Sequence, residues 1–404
     1  MSVRWITDRL GTAPWSEDLG HAGTAIVDVR LLRDGAGNSS DVVLGKIEEA
    51  AGGLARGETV VVCCDYGISR SNVIAAATLS QTTGIGLEAG LRQVVRTTGE
   101  TGIKIDFVED LRGILGSRPA AAEFDRVLIL GAEGFIGQGV SRDIGPSAII
   151  PDTESDEALI SNPVLLDAVL VANRAGRILL CWHPPSLDTN RAVGELVAGL
   201  RNVLEVCRVR RAGLVFVSGQ QVFAGLEDSE QPCDEETPPS PAGAAGDGLF
   251  LAETLIRRYA ERHILDTLIV RVPHVYGPGD DRPGTLRTLA SKALAGQPIV
   301  THRYRGCAPA MDLLHVRDLA RALRSALEQG LTGMLHLGSG HPIRTDELAR
   351  LITKITASES TLSTIELPGK AHTARLVSRI AHDRLGWRPQ VNLSAGLVEM
   401  LGNR

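Results

Sequence analysis

Residues 126–137 read RVLILGAEGFIG, and the architecture of most of the chain follows from how that stretch is read. Four apolar residues, Val127 to Leu130, suit a strand buried on both faces, and the glycines that follow stand at three-residue steps, Gly131, Gly134 and Gly137. In a strand–turn–helix the first glycine permits the tight turn, the second lets a backbone approach a pyrophosphate, and the third lets the helix lie close on the strand. The uncapped N–H groups at such a helix start favour an anion. Downstream, RILLCW (177–182), GLVFVS (213–218) and DTLIVRV (266–272) alternate with helical stretches such as AVGELVAGLRNVLEVCRV (192–209) and LFLAETLIRRYAERH (249–263). That alternation predicts a doubly wound, parallel α/β sheet.

Upstream of the quoted stretch a second pattern begins. TAIVDVRLL (24–32) and TVVVCC (59–64) predict strands, NVIAAATLSQTTG (72–84) and IDFVEDLRGIL (105–115) predict helices, and GSRPAAAEFD (116–125) has the composition of a linker. The expected organisation is two α/β domains, 1–118 and 119–404.

Composition narrows the function classes. The 404 residues carry 43% hydrophobic and 22% charged side chains, values of a folded globular protein. Aromatic residues make up 3% and the net charge is −6, which argues against a nucleic-acid partner. Six cysteines without C-x-x-C spacing suggest neither a disulfide framework nor a metal site. With no apolar run of spanning length and no leader, a cytoplasmic protein without a membrane partner is expected.

The TVVVCCDYGISRS stretch (59–71) carries its own chemistry. A strand ending at Cys64, a loop through Asp65, Tyr66, Gly67, Ile68 and Ser69, and a helix from Arg70 would aim successive N–H groups into one concavity. That field would lower the Cys64 pKa, Arg70 would present a two-pronged donor, and Ser71 would donate to the sulfur. Cys63 reads as a packed thiol. The stretch resembles the Cys-x5-Arg-Ser signature of dual-specificity, protein-tyrosine-phosphatase-like enzymes, and WITDRLGTAPWSEDL (5–19) resembles the start of that domain, over about residues 3–115. The resemblance implies a phosphoric monoester hydrolase working through a phosphocysteine at Cys64. It implies a loop aspartate as general acid, with Asp34 favoured and Asp41 expected as a helix N-cap. The implied substrate is a small phosphate monoester or a phosphoprotein, with no cofactor for this half. The family carries histidine where this chain has Cys63.

Residues 125–402 resemble the extended short-chain dehydrogenases, the NAD-dependent nucleotide-sugar epimerases and dehydratases. After the glycine turn come RVPHVYGPGD (271–280), MDLLHVRDLARAL (311–323), LHLGSGHPIRTDEL (335–348) and LGWRP (385–389), in the family's order. The resemblance implies NAD(P) held by Gly131, Gly134, Gly137 and Asp152, and a small C-terminal substrate portion. It also implies a hydroxyl residue and a Tyr-x-x-x-Lys pair, but Gly219, Ala245 and Leu249 occupy those places, counted back from Glu253. CWHPP (181–185) puts Trp182 and His183 where small residues usually line the cofactor. The combined expectation is a cysteine phosphatase joined to a catalytically degenerate epimerase-like domain, with its substrate among phosphorylated sugars or nucleosides. Alternatives left open are an NAD-dependent nucleotide-sugar epimerase/dehydratase with displaced catalytic groups and a phosphate-binding module without turnover. A homodimer is also left open.

Overall fold

The computed structural model describes residues 3–20, 23–117, 123–151, 154–184, 187–226, 232–305, 307–369 and 375–402. It divides into two compact units. One comprises residues 1–123, 151–176 and 198–212; the other comprises 124–150, 177–197 and 213–404.

The first unit is built on a four-stranded sheet in the order Arg4–Trp5, Leu10–Pro14, Thr59–Cys64, Thr24–Asp28. The Thr59–Cys64 strand lies between two parallel partners. Burial on both faces accounts for its unbroken Val60–Val62 run. Helices Ser40–Ala55, Arg70–Thr83, Leu87–Thr98 and Ile105–Ile114 follow. The unit also takes in Asp156–Ser161 and Pro163–Ala172. Asn162 starts the second of these, its Oδ1 accepting from the N–H groups of Val164 and Leu165 at 3.0 and 3.3 Å, while its Nδ2 donates to the Glu100 carbonyl at 2.9 Å. A buried charge cluster fixes the same helix. Asp167, fully buried, accepts from Arg112 Nη2 and Arg210 Nε, both at 2.6 Å, and Arg112 also forks onto Glu88 with two bonds of 2.8 Å. Removing Asp167 would leave the two guanidinium groups with only the more exposed Glu88 and Glu109 as counterions.

The second unit holds a six-stranded sheet in the order Gly333–His336, Thr267–Val272, Gly213–Gly219, Ala175–Leu180, Glu123–Leu130, Ala148–Ile149. Its described pairings are parallel. Alternate residues of the central strands, Val215 and Val217, Leu268 and Val270, face a core completed by Leu319 and Leu323 of the Val316–Glu328 helix. In the usual dinucleotide fold the strand order is 3-2-1-4-5-6. Here, among the described residues, the sheet ends at its second strand; the stretch that would return as the third forms the Asp156–Ser161 and Pro163–Ala172 helices instead. A smaller C-terminal portion pairs Ile299–Tyr304 in parallel with Leu362–Leu367. Beside that pair, Leu286, Leu289, Leu348, Ile352 and Leu397 make a separate core.

Candidate functional site

The loop after Thr59–Cys64 adopts the turn its glycine suggests. Gly67 has φ +68°, and a Cβ there would stand 2.5 Å from the Pro14 nitrogen, so only glycine fits. Cys64 Sγ accepts from the Gly67 N–H at 3.2 Å and lies 3.4 Å from Ser71 Oγ. Burial pushes this thiol up, but the hydrogen bonds from Ser71 and from the Tyr66 and Gly67 backbone outweigh it and leave the pKa below the ordinary thiol value. Cys63, pointing to the other face beside the Val27 carbonyl, is pushed up to about 12 by burial. Ser69 is buried, and its Oγ accepts from the Lys104 N–H; Tyr66 projects into solvent and Ile68 is half-buried. Asn72, which sequence reasoning missed, staples the loop by donating to the carbonyls of Gly67 and Ile68 while accepting from Thr12.

Arg70 departs from the expected arrangement. Its Nη1 donates to the carbonyls of Arg30 (2.8 Å) and Leu32 (3.1 Å), and its Nη2 pairs with Asp65. Those donors are engaged by the protein's own acceptors and do not fork over the sulfur. Asp34 is itself exposed, on the turn that spans 31–36. Asp41 is not the N-cap; Ser39 is, and Asp41 lies in the first helical turn, where its charge complements the helix dipole.

In the second unit the three glycines divide their labour. Gly131 has φ +91°, and a Cβ would meet the Trp182 nitrogen at 2.6 Å; a Cβ on Gly137 would stand 2.0 Å from the Gly131 oxygen. Both are therefore required by packing. Gly134, whose Cβ would come no nearer than 3.3 Å to its neighbours, is exposed and precedes the Phe135–Ile144 helix without any side-chain cap. That open helix start fits the pyrophosphate of a dinucleotide. The adenosine side fits less fully, because the sheet stops at its second strand; Asp152 lies outside the described residues.

At the end of Gly213–Gly219 the positions counted for the reactive groups, Gly219, Ala245 and Leu249, carry no hydroxyl or amine. A Cβ on Gly219 would stand 2.1 Å from Gln221 Oε1 and 3.3 Å from Leu249 Cδ1, so an amide and a leucine fill the place of the hydroxyl and the lysine. Nearer the start of the Gly243–His263 helix, the close approach of Gly246 to the Gln221 carbonyl, 2.6 Å from a Cβ built there, holds this helix against the strand end. Ala245 is half-buried. The half-buried His183 tilts against Phe216 at 5.8 Å, and burial pushes its pKa down to about 4, so the ring is neutral.

A buried polar chain runs beneath this surface. Ser218 Oγ donates to Glu253 (2.6 Å), Glu253 takes a two-pronged bond from Arg271, Arg271 Nη1 lies 3.3 Å from His336 Nε2, and His336 Nδ1 lies 3.1 Å from the Cys233 carbonyl. An arginine inside the apolar DTLIVRV strand was its sequence signal. Glu235 joins at the rim: its Oε1 accepts from the His336 N–H at 3.0 Å, its Oε2 is buried with no hydrogen-bond partner among the described residues, and burial raises its carboxyl.

Comparison with known proteins agrees with this half of the chain. A model of the NAD dependent epimerase/dehydratase family matches residues 167–336. The dTDP-glucose 4,6-dehydratase of Neisseria gonorrhoeae is 24% identical over 67% of this chain and 93% of its own length. The GDP-6-deoxy-D-mannose reductase of Pseudomonas aeruginosa is 23% identical over 69% of this chain and 96% of its own. The crystal structure of the Thermus thermophilus UDP-glucose 4-epimerase, a complex with NAD, superposes with a TM-score of 0.61 at 21% identity, covering 69% of this chain and 98% of that one. The chain thus carries an epimerase/dehydratase-type domain on a Rossmann-like parallel sheet. Among the described residues no helix is long and apolar enough to cross a membrane.

These findings correct the expected activity. The relatives are nucleotide-sugar dehydratases, reductases, epimerases and decarboxylases, which are not phosphoric monoester hydrolases. The phosphatase, phosphocysteine and hydrolase assignments are withdrawn with them. Their physical weakness is at Arg70: a transition-state clamp needs guanidinium donors aimed at the oxyanion, and here three backbone and side-chain acceptors hold them elsewhere.

Proposed function

We propose that the second unit belongs to an NAD(P)-dependent enzyme of the nucleotide-sugar epimerase/dehydratase type whose proton-transfer groups are displaced from their usual places. The observation that carries this reading is Gly134. Packing explains Gly131 and Gly137, but an exposed, uncapped glycine at the start of a ten-residue helix has its use when phosphate oxygens approach the backbone. NAD(P), when bound, supplies the hydride acceptor and donor. This chain's part is to bind and orient: the helix start donates N–H groups to the pyrophosphate, and the C-terminal strand ends form the crevice where ligands of open α/β sheets sit.

Gln220 Oε1 is buried with no partner among the described residues. It is an acceptor for a hydroxyl, yet an amide cannot take a proton. Deprotonation then falls to Glu235, a carboxylate raised above its ordinary value by burial, whose Oε2 has no partner among the described residues. The test is incubation of the full chain with NAD and a panel of UDP-, dTDP- and GDP-hexoses, with products followed by NMR and reduced nicotinamide by absorbance. Turnover that survives Cys64→Ser but falls at least a hundredfold in Glu235→Gln supports the reading. Tight binding of NAD and nucleotide sugar without any product, at any pH, would overturn it.

A further inference from the structure

Segments far apart in sequence meet on one buried arginine. Arg271, 2% exposed in the Thr267–Val272 strand, directs Nε and Nη2 to Glu253 of the Gly243–His263 helix, at 3.0 and 2.6 Å, and Glu253 also accepts from Ser218 near the end of Gly213–Gly219. The guanidinium lies over the Phe223 ring at 4.9 Å. Its remaining nitrogen, Nη1, stands 3.3 Å from His336 Nε2. Arginine has only donors, so Nε2 is the accepting nitrogen and the ring proton sits on Nδ1.

That proton has a definite partner. His336, fully buried, ends the Gly333–His336 strand, and its Nδ1 lies 3.1 Å from the Cys233 carbonyl, which also accepts from the Val377 N–H at 2.9 Å. The backbone N–H of the same residue donates to Glu235 Oε1 at 3.0 Å. His336 thus holds both ends of one tripeptide, the carbonyl of Cys233 through its ring and the carboxylate of Glu235 through its backbone. The turn that carries Glu235 is closed locally by Asp234 Oδ1, which accepts from the Glu236 and Thr237 N–H groups. What is left to set is how that turn lies against the sheet.

The ring is suited to the task because it stays in one state. Burial and the facing Arg271 guanidinium push its pKa down to about 4, against the opposing pull of the Cys233 carbonyl and Asp234, so at neutral pH the imidazole is uncharged and its tautomer is fixed by its two partners. The charged groups that act on Glu235 are Asp234, which raises its carboxyl, and Arg379, which lowers it; burial outweighs both.

We propose that His336 is a positioning residue: by clasping Cys233 and Glu235 together it determines which carboxylate oxygen is bound and which, Oε2, is left for a substrate hydroxyl. The catalytic half of this statement rests on the reading of Glu235 as the base, whereas the clasp rests on the distances alone. Arg271 acts one step farther back, by holding the imidazole in the tautomer that donates to Cys233.

The test is a set of substitutions read in two ways. His336→Phe keeps an aromatic ring beside Phe223 and removes both nitrogens; His336→Leu does the same with a smaller side chain should the larger ring unfold the protein; His336→Asn returns a donor near Nδ1. The first readout is the titration of Glu235 in the full chain, followed by carbon NMR after glutamate labelling and assigned with Glu235→Gln. In the wild type it lies above the ordinary carboxyl range. In His336→Phe or His336→Leu it should fall back toward that range as the side chain swings into water, and in His336→Asn it should stay near the wild-type position. The second readout is turnover with NAD and nucleotide sugar: kcat should fall about tenfold or more in His336→Phe with KM little changed, and recover at least in part in His336→Asn. A loss of stability in His336→Phe and His336→Leu with the Glu235 titration unmoved would make His336 a structural residue only and overturn the proposal, as would a titration displaced as far in His336→Asn as in His336→Phe. If Glu235→Gln keeps wild-type turnover while His336→Phe still shifts the titration, the base assignment falls and the clasp stands. If Glu235→Gln is inactive while His336→Phe matches the wild type in both readouts, the clasp falls and the base assignment stands.

Discussion

Thr59–Ser71 and Arg126–Gly137 are two versions of one local design, a buried strand, a glycine-bearing turn and a helix start. In the first, the N–H groups converge on the protein's own sulfur, Cys64, and the nearby arginine is tied to Arg30, Leu32 and Asp65. In the second, nothing from the chain caps the helix, and Gly134 remains open. Similar backbone paths thus end as a self-satisfied loop in one case and a helix start without a side-chain cap in the other. Their settings differ as well. Each unit also buries a polar cluster, Arg112 with Asp167 and Arg210 in the first, where it joins distant helices, and Ser218, Glu253, Arg271 and His336 in the second, where it lies beneath the strand ends.

The most severe way to break the comparison is to remove the charge. Asp167→Ala should lower the stability of the full chain by about 3–5 kcal/mol, because Arg112 and Arg210 lose their fully buried carboxylate and keep only the more exposed Glu88 and Glu109. Asp167→Asn, which keeps the shape and an acceptor, should cost less, and urea denaturation followed by circular dichroism separates the two.

Gly137→Ala comes next. Its methyl group would overlap the Gly131 oxygen, so a loss of about 3 kcal/mol is expected from the same measurement. Gly134→Ala inverts the pattern: stability should change by less than about 0.5 kcal/mol, while NAD affinity, read by calorimetry, should fall about tenfold. Equal effects of the two substitutions on stability would remove the division of labour between these glycines.

The smallest expected effect concerns the first turn. Because Ser71 and the loop N–H groups keep the Cys64 thiol acidic, its alkylation by iodoacetamide should proceed below the ordinary thiol pKa. Ser71→Ala should move that titration upward further than Arg70→Ala does. A larger shift for Arg70→Ala would mean that the guanidinium does reach the sulfur in solution.

Sequence reading succeeded where a feature depends on near neighbours. The strands ending at Cys64 and Leu130, the turns at Gly67 and Gly131, and the meeting of Cys64 with Ser71 all arise within a dozen residues, and all were legible. The absence of catalytic groups at Gly219, Ala245 and Leu249 was equally plain. What was not legible depends on distant acceptors. The direction of Arg70 is decided by two carbonyls about forty residues upstream, and its motif reads the same whichever way it points. Ser39 in place of Asp41 as N-cap reflects a helix start displaced by two residues. The loss of the third strand was hidden because a stretch such as PVLLDAVLVA is apolar enough for either state, and the local Asn162 cap on Val164 and Leu165 is reinforced for helix by distant partners of Asn162 and Asp167 at Glu100, Arg112 and Arg210.

That last arrangement bears on synthesis at the ribosome. A first domain complete by residue 118 could fold as soon as it left the exit tunnel. The first unit, however, includes residues 151–176 and 198–212, so its final contacts wait for about 90 residues of further translation, several seconds at typical elongation rates. For the first half of that interval Arg112 has neither Asp167 nor its helix to pack against, and Arg210 joins the cluster only at its end. The nascent chain therefore carries an unfinished surface while the glycine turn of the other unit is already emerging, and conditions that slow elongation through residues 124–212 should raise its demand for chaperones.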